Sequence, residues 1–220
     1  MLERVLEPEA MDTWEEALAY DTMDHSEPNE LFVRRLEQLQ ADGPMLDIGT
    51  GPGHIPLLIV ERWPEVSVIG IDVSVNMIRI AHQHRERSPH RHRLEFRVAE
   101  ARHLPFPDAS FHTVFSNTIL HHIPEPRPFL EEAWRVLRPG GAFLIRDLFR
   151  PPNRKYRERM VRRHAAGATP YQQQLFRQSL MAALTPDELR RLVDPLTFDG
   201  VEVVVDTDRH LSLQKAATPA

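Results

Sequence analysis

Between residues 45 and 149 the chain alternates between two hydrophobic rhythms: short apolar runs, then longer stretches whose apolar residues recur at helical spacing. Apolar runs of that length read as strands buried on both faces. A strand–helix–strand–helix order then favours a parallel sheet covered by helices on both sides. The expected strands are 45–48, 66–72, 94–99, 112–117 and 142–149. Residues 54–63 are expected as a helix that tolerates Pro56 in its first turn, and Ser74 caps another carrying Met77, Ile78 and Ala81. A third helix, 127–138, places Phe129, Leu130, Ala133, Val136 and Leu137 on one stripe, and "RPGG" is the turn after it. Right-handed crossovers leave few topologies open.

Ahead of this region, residues 9–21 and 28–41 read as two helices, the second stopped by Gly43-Pro44. The regular beat fails after residue 150, where a polar, basic and aromatic segment runs to 184 and is expected to be helical in pieces. Thr185-Pro186-Asp187-Glu188 starts a helix with a capping box and a proline at its first position. Residues 201–206 and 209–215 are strands with a link so short that they must pair antiparallel.

The 220 residues suffice for one substantial domain. With no cysteine, disulfides, zinc–thiolate sites and cysteine nucleophiles are excluded. A net charge of −5 argues against a protein that coats nucleic acid. Residues 82–93 and 150–163 run the other way and are strongly basic, which reads first as solvated surface. No apolar run approaches the roughly 18 residues that span a bilayer, and the acidic "MLERVLEPEAMD" lacks the layout of a secretory signal, so a cytoplasmic protein is expected.

The stretch "MLDIGTGPGHIP" sets a glycine-rich turn between the first strand and its helix, the place where α/β sheets hold ligands. Gly49, Gly51 and Gly53 follow G-x-G-x-G; the dinucleotide pattern G-x-G-x-x-G fails because position 54 is His54. No Walker lysine is present. Asp47, two residues before the first glycine, is awkward beside a pyrophosphate but well placed to accept from an ammonium. The loop therefore favours a ligand with a positive amine. Asp72, ending the second strand, stands where a carboxylate grips ribose hydroxyls.

Together "LDIGTGPG", "VIGIDVS", "AEARHLPFPDASFHTVFSNTILHHIPEP" and "RVLRPGGAFLIRD" resemble the class I S-adenosylmethionine-dependent methyltransferases, with the small-molecule enzymes of ubiquinone/menaquinone biosynthesis type nearest. The resemblance covers about residues 44–147. It implies a Rossmann-like, doubly wound α/β fold: a seven-stranded sheet, mostly parallel, with an antiparallel strand in the C-terminal hairpin. It further implies S-adenosyl-L-methionine as donor and S-adenosyl-L-homocysteine as product. Asp47 and the loop Gly49, Thr50, Gly51 and Gly53 would face its methionine part, Asp72 its ribose, and Val73 with Met77 its adenine. Glu100 and Ala101 match the family's Asp-Ala pair at the adenine amine, with a longer acid. Asn117 and Ile119 would lie beneath the sulfonium. On this reading residues 1–43 are cap helices, 44–149 the cofactor core, 150–184 an inserted substrate lid and 185–220 a C-terminal helix and hairpin, all within one domain.

Methyl transfer from a sulfonium is an in-line displacement, so positioning and exclusion of water are the main demands, with a base only where the acceptor must lose a proton. His121, His122, Tyr20 and Asp147 are the candidates for that role. No metal is expected at His121 and His122, because adjacent residues point apart and no spacing such as H-E-x-x-H accompanies them. "SNTI" after the fourth strand is not the Asn/Asp-Pro-Pro-Tyr/Phe motif of nucleobase and glutamine methylation, which leaves a small-molecule acceptor at O, N or C. An RNA or protein methyltransferase gripping with 150–163, and a non-catalytic cofactor-binding protein, stay open, as does a homodimer. In the insertion Tyr156, His164, Tyr171, Gln174, Phe176 and Arg177 are candidate pocket residues.

Overall fold

The computed structural model describes residues 2–7 and 13–218. In chain order its helices and strands are α1 Trp14–Asp21, α2 Ser26–Gln38, β1 Met45–Ile48, α3 His54–Arg62, β2 Val68–Asp72, α4 Val75–Arg87, β3 Leu94–Val98, β4 Phe111–Asn117, α5 Pro126–Arg135, β5 Leu137–Leu148, α6 Arg154–His164, α7 Pro170–Ala182, α8 Pro186–Val193, β6 Glu202–Val205 and β7 His210–Lys215. The strands form one sheet in the order β3-β2-β1-β4-β5-β7-β6. Strands β1 to β5 pair in parallel; β7 runs antiparallel to both β5 and β6.

Both faces of the sheet are buried, and the pleat sorts the strand residues between them. Leu46, Ile48, Val114, Phe143 and Ile145 pack with Phe129, Leu130 and Ala133 of α5 and Leu189 of α8. Their neighbours Met45, Phe115, Ala142 and Leu144 pack the other way, with Phe32 and Leu36 of α2, Ile55 and Ile59 of α3 and Ile78 of α4. Strand β1 lies between β2 and β4, so the strand order reverses there. A crevice opens beyond the carboxyl ends of strands at such a reversal, and the residues after β1 and β4 face it.

Several boundaries differ from the sequence reading. The early part of the predicted helix 9–21 lies outside the described residues; its remainder, α1, starts with a full capping box between Thr13 and Glu16. Helix α2 ends earlier than expected, because Gln40 takes a left-handed conformation (φ 56°) before Gly43-Pro44 is reached. "RPGG" is not a turn before β5 but lies inside it. Phe111 pairs with Leu137 and Thr113 with Ala142, so the β5 side carries a bulge, for which Gly140 supplies a φ of 79°. The C-terminal hairpin forms, but four residues rather than two separate its strands, and the later strand takes the inner place.

The insertion folds as the pair α6 and α7, which buries Met160, Val161, Leu180 and Ala183 against Leu148 at the end of β5. Buried Arg150 fastens the pair: it donates to the carbonyls of Ala183 (2.7 Å) and Leu2 (2.9 Å) and pairs with Glu188. No helix among the described residues is long and apolar enough to cross a membrane.

Candidate active site

The loop after β1 is shaped by its glycines, each for its own reason. Gly49, Gly51 and Gly53 all have left-handed backbones, with φ of 76°, 54° and 82°. A Cβ on Gly49 would meet Ile119 at 2.4 Å, and one on Gly53 would meet the Phe96 ring at 2.7 Å. Only Gly51 has open space beside it, with Tyr20 at 3.9 Å. The amides of Gly49 and Thr50 both donate to the Ile71 carbonyl at 2.8 Å, which seats the loop on β2. The Gly51 amide donates to one oxygen of Asp72, and the Ser74 amide to the other, each at 2.9 Å.

A cavity of about 220 Å³ opens over this loop. Its wall includes Tyr20, Asp47, Gly49, Thr50, Gly51, Asp72, Val73, Met77, Glu100, Ala101, Asn117, Ile119 and His122. Gly53 lies behind the wall, where its bare Cα lets α3 approach β3. Among the described residues five buried side-chain atoms lack a hydrogen-bond partner, and three of them belong to wall residues: Asp47 Oδ2, Thr50 Oγ1 and His25 Nε2. Buried polar atoms are rarely left unpaired without a ligand, ion or water to complete them. Burial pushes the Asp47 carboxyl up to about 7; the neighbouring Thr50 hydroxyl opposes the rise and the Asp72 charge adds to it. Burial likewise raises Asp72 and lowers His25. Tyr20 is pushed up to about 12 by burial, then by Asp72 and Asp47, so it stays a phenol and offers a donor.

At the adenine end predicted from the sequence, Val73 is half-exposed, while Met77 is buried and also packs on Ala17 and Ile80 beneath α1. Glu100 is turned away from a free role: both its oxygens accept from the Arg102 guanidinium, at 3.1 and 3.2 Å, and Arg102 holds its carboxyl below the usual range.

At the other end, the chain leaves β4 through Thr118, a non-glycine residue at φ 68°, into a 3₁₀ turn at Leu120–His122. That turn overturns one premise from the sequence. His121 and His122 do not point apart; their rings lie 4.1 Å between centroids at 35°. His122 lines the cavity, whereas His121 and Asp147 are buried behind it, each 2% exposed. The His121 amide donates to Asp147 Oδ2 and its ring Nδ1 meets Oδ1, both at 2.7 Å. His121 Nε2 and His122 Nδ1 approach Glu7 Oε1 at 3.2 and 3.3 Å. Burial opposes a charge on His121, but Asp147 and Glu7 outweigh it and push the imidazole up to about 9.

Comparison with known proteins agrees with this geometry. Residues 46–145 match a family described as a methyltransferase domain. Over that segment the chain is similar to the class I methyltransferases. Over 115 residues the chain is 36% identical to the 27-O-demethylrifamycin SV methyltransferase of Amycolatopsis mediterranei, covering 52% of this chain and 42% of that protein. It is 33% identical over 111 residues to a ubiquinone/menaquinone biosynthesis C-methyltransferase of Geotalea daltonii, covering 50% and 47%. The chain thus spans less than half the length of these two curated relatives. A crystal structure of a SAM-dependent methyltransferase from Aquifex aeolicus shares the fold at 19% identity, with a TM-score of 0.68 over 94% of this chain and 99% of that one.

The wall also holds residues that sequence reasoning missed, among them His25, Asn29, His54, Thr118 and Ile123. His25 flanks an ordinary helix start, and a left-handed threonine leaves no mark in the sequence, so neither carried a signal. Conversely, none of the six candidates from the insertion lines the cavity. Tyr156 and His164 bond to Asp208, Arg177 pairs with Glu158, Phe176 joins the α6–α7 core, and Tyr171 is exposed.

Proposed function

We propose that this chain transfers a methyl group from S-adenosyl-L-methionine to a small-molecule acceptor. The observation that carries the reading is the trio of unpaired buried atoms, Asp47 Oδ2, Thr50 Oγ1 and His25 Nε2, beside a loop whose only uncrowded glycine is Gly51. A buried carboxylate with one open oxygen fits an α-ammonium, and Thr50 and His25 fit the polar remainder of an amino-acid head. Asp72 has both oxygens held by backbone amides, which fixes its orientation and leaves lone pairs for a ribose diol. The bound sulfonium supplies an electrophilic methyl group, released to a nucleophile in line with the departing sulfur.

The chain's own part is positional. Val73 and Met77 offer apolar surface for the adenine, and Ile119 with Asn117 bounds the reacting end. Tyr20, kept protonated, can orient an acceptor lone pair. His122 is the ring at the wall on this side, and His121 with Asp147 forms a fixed support behind it. Helix α7 packs beside the 120–122 turn, which supports the insertion as a border of the acceptor end. Small-molecule acceptors are favoured because both curated relatives named above act on small molecules by their names. Calorimetry with S-adenosylhomocysteine tests the reading: the wild-type chain should bind it, and Asp72→Ala should weaken binding by about 100-fold or more through lost ribose contacts and a loosened loop. Equal affinity in the variant would remove Asp72 from the site, and no binding by the wild type would end the proposal.

A further inference from the structure

The 120–122 turn and the N-terminal segment together bring three donor atoms close to one another at the edge of the cavity. We propose that Glu7, His121 and His122 form a binding site for a divalent first-row transition cation such as zinc or cobalt. Glu7 Oε1, His121 Nε2 and His122 Nδ1 all lie within 4.8 Å of one another. Two of the separations, 3.2 and 3.3 Å, are close to the roughly 3.4 Å edge of a tetrahedron built on metal–ligand bonds of about 2.0–2.1 Å. Glu7 Oε1 is buried and makes no hydrogen bond despite having two imidazole nitrogens nearby, so those nitrogens face it at a metal-sharing distance without satisfying it.

The support around the three donors has the form that metal-binding imidazoles use. His121 Nδ1 is held by Asp147 Oδ1 at 2.7 Å, a carboxylate–histidine pair that fixes the ring and aims Nε2 outward. Glu7 does not hang from a free end, because Val5 N donates to the Met181 carbonyl at 3.0 Å and Arg4 Nε to that of Ala182 at 2.6 Å. Two imidazoles and one carboxylate, in a chain without cysteine, suit zinc, cobalt or nickel better than calcium or magnesium. On binding, the cation takes the Nε2 lone pair of His121, the proton there passes to solvent, and the Nδ1–H stays with Asp147. Three protein ligands leave a fourth position for water or, resting on the methyl-transfer reading above, for an oxygen or nitrogen of the acceptor.

A second cluster, Asp21 with His54 and His84, is the natural control. There the His54 ring already makes an ordinary 2.8 Å hydrogen bond to Asp21, so no atom is left wanting.

The test is titration of tag-free, EDTA-treated full-length protein with cobalt(II), read by its visible d–d bands, with zinc as competitor. One equivalent should bind with tetrahedral intensity. Glu7→Gln and His122→Asn should each weaken it at least about tenfold, Asp147→Asn by about 10–100-fold, and His84→Asn not at all. Circular dichroism and thermal melts check that the variants fold. No cobalt uptake by the wild type overturns the site and means that a proton holds the three groups together. Uptake that survives Glu7→Gln but is lost in His84→Asn overturns it too. Failure here with intact S-adenosylhomocysteine binding leaves the methyl-transfer reading standing, and the reverse result leaves the metal site standing.

Discussion

Replacing Asp47 by asparagine should make the unliganded protein more stable and the cofactor site useless. The folded chain holds this carboxyl in a buried pocket where its pKa lies at about 7, against an ordinary value of 3.8. A carboxyl raised on folding contributes stability that is present below the unfolded value and disappears as pH rises through the folded one. At about 1.36 kcal/mol per pKa unit, the unliganded protein at pH 8 forgoes up to about 4 kcal/mol by keeping Asp47 ionised. The neutral amide of the variant carries no such charge, so Asp47→Asn should gain about 1–4 kcal/mol at pH 8, or about 2–4 °C in Tm per kcal/mol. Binding runs the opposite way. An ammonium beside Asp47 needs the ionised form, so wild-type affinity for S-adenosylhomocysteine should fall about 100-fold between pH 8 and pH 5. His25, His54, His122 and Asp72 face the same cavity, and the variant separates their share. Calorimetry across that range, with thermal melts of both proteins, makes the comparison. A flat wild-type profile, an equal slope in Asp47→Asn, or a less stable variant would refute the assignment of Asp47 to the amine.

Gly49→Ala should cost about 2–4 kcal/mol, from a left-handed alanine plus the collision with Ile119, and adding Ile119→Ala should recover only the steric part; Gly51→Ala, with open space beside it, should cost about 1–2 kcal/mol in the same denaturant melts. Glu100→Ala should change S-adenosylhomocysteine affinity by less than about fivefold, since that carboxylate is committed to Arg102. His210 is held neutral by burial, then by Arg146 and Arg209, with its pKa lowered to about 2. Its contribution is complete above about pH 6.5 and is lost as pH falls, so urea melts should show about 2 kcal/mol less stability from this residue at pH 5 than at pH 7, a slope reduced in His210→Asn.

The parallel half of the sheet was legible because its strands are continuous apolar runs and its helices carry clear stripes and caps; both are local signals. The glycine loop over the cavity was legible for the same reason, since Asp47, the three glycines and Asp72 form a compact pattern in sequence. What the sequence could not convey was why each glycine is there. Gly49 answers to Ile119 and Gly53 to Phe96, contacts that exist only after β3, β2, β1 and β4 have assembled into one sheet. The bulge in β5 was hidden because proline and glycine read as a turn whether or not a neighbouring strand pairs across them. Glu7 meeting two histidines depends on Arg4 and Val5 docking onto the end of α7, a long-range event with no local trace. The insertion misled because its polar and aromatic residues find partners elsewhere than the cavity: Tyr156 and His164 in Asp208, far away in sequence, and Arg177 in Glu158 on the neighbouring helix α6.

The place of β7 bears on how the protein is made. Because β7 runs between β5 and β6, β5 presents an open row of amides and carbonyls until residues 210–215 have been synthesised. During that interval the freshly emerged core has a sticky edge along Phe143, Leu144 and Ile145, the type of surface on which nascent chains pair with one another. Damage to the last strand would therefore do its harm at the ribosome and in aggregates, as lost yield, in a protein whose cavity residues are all intact.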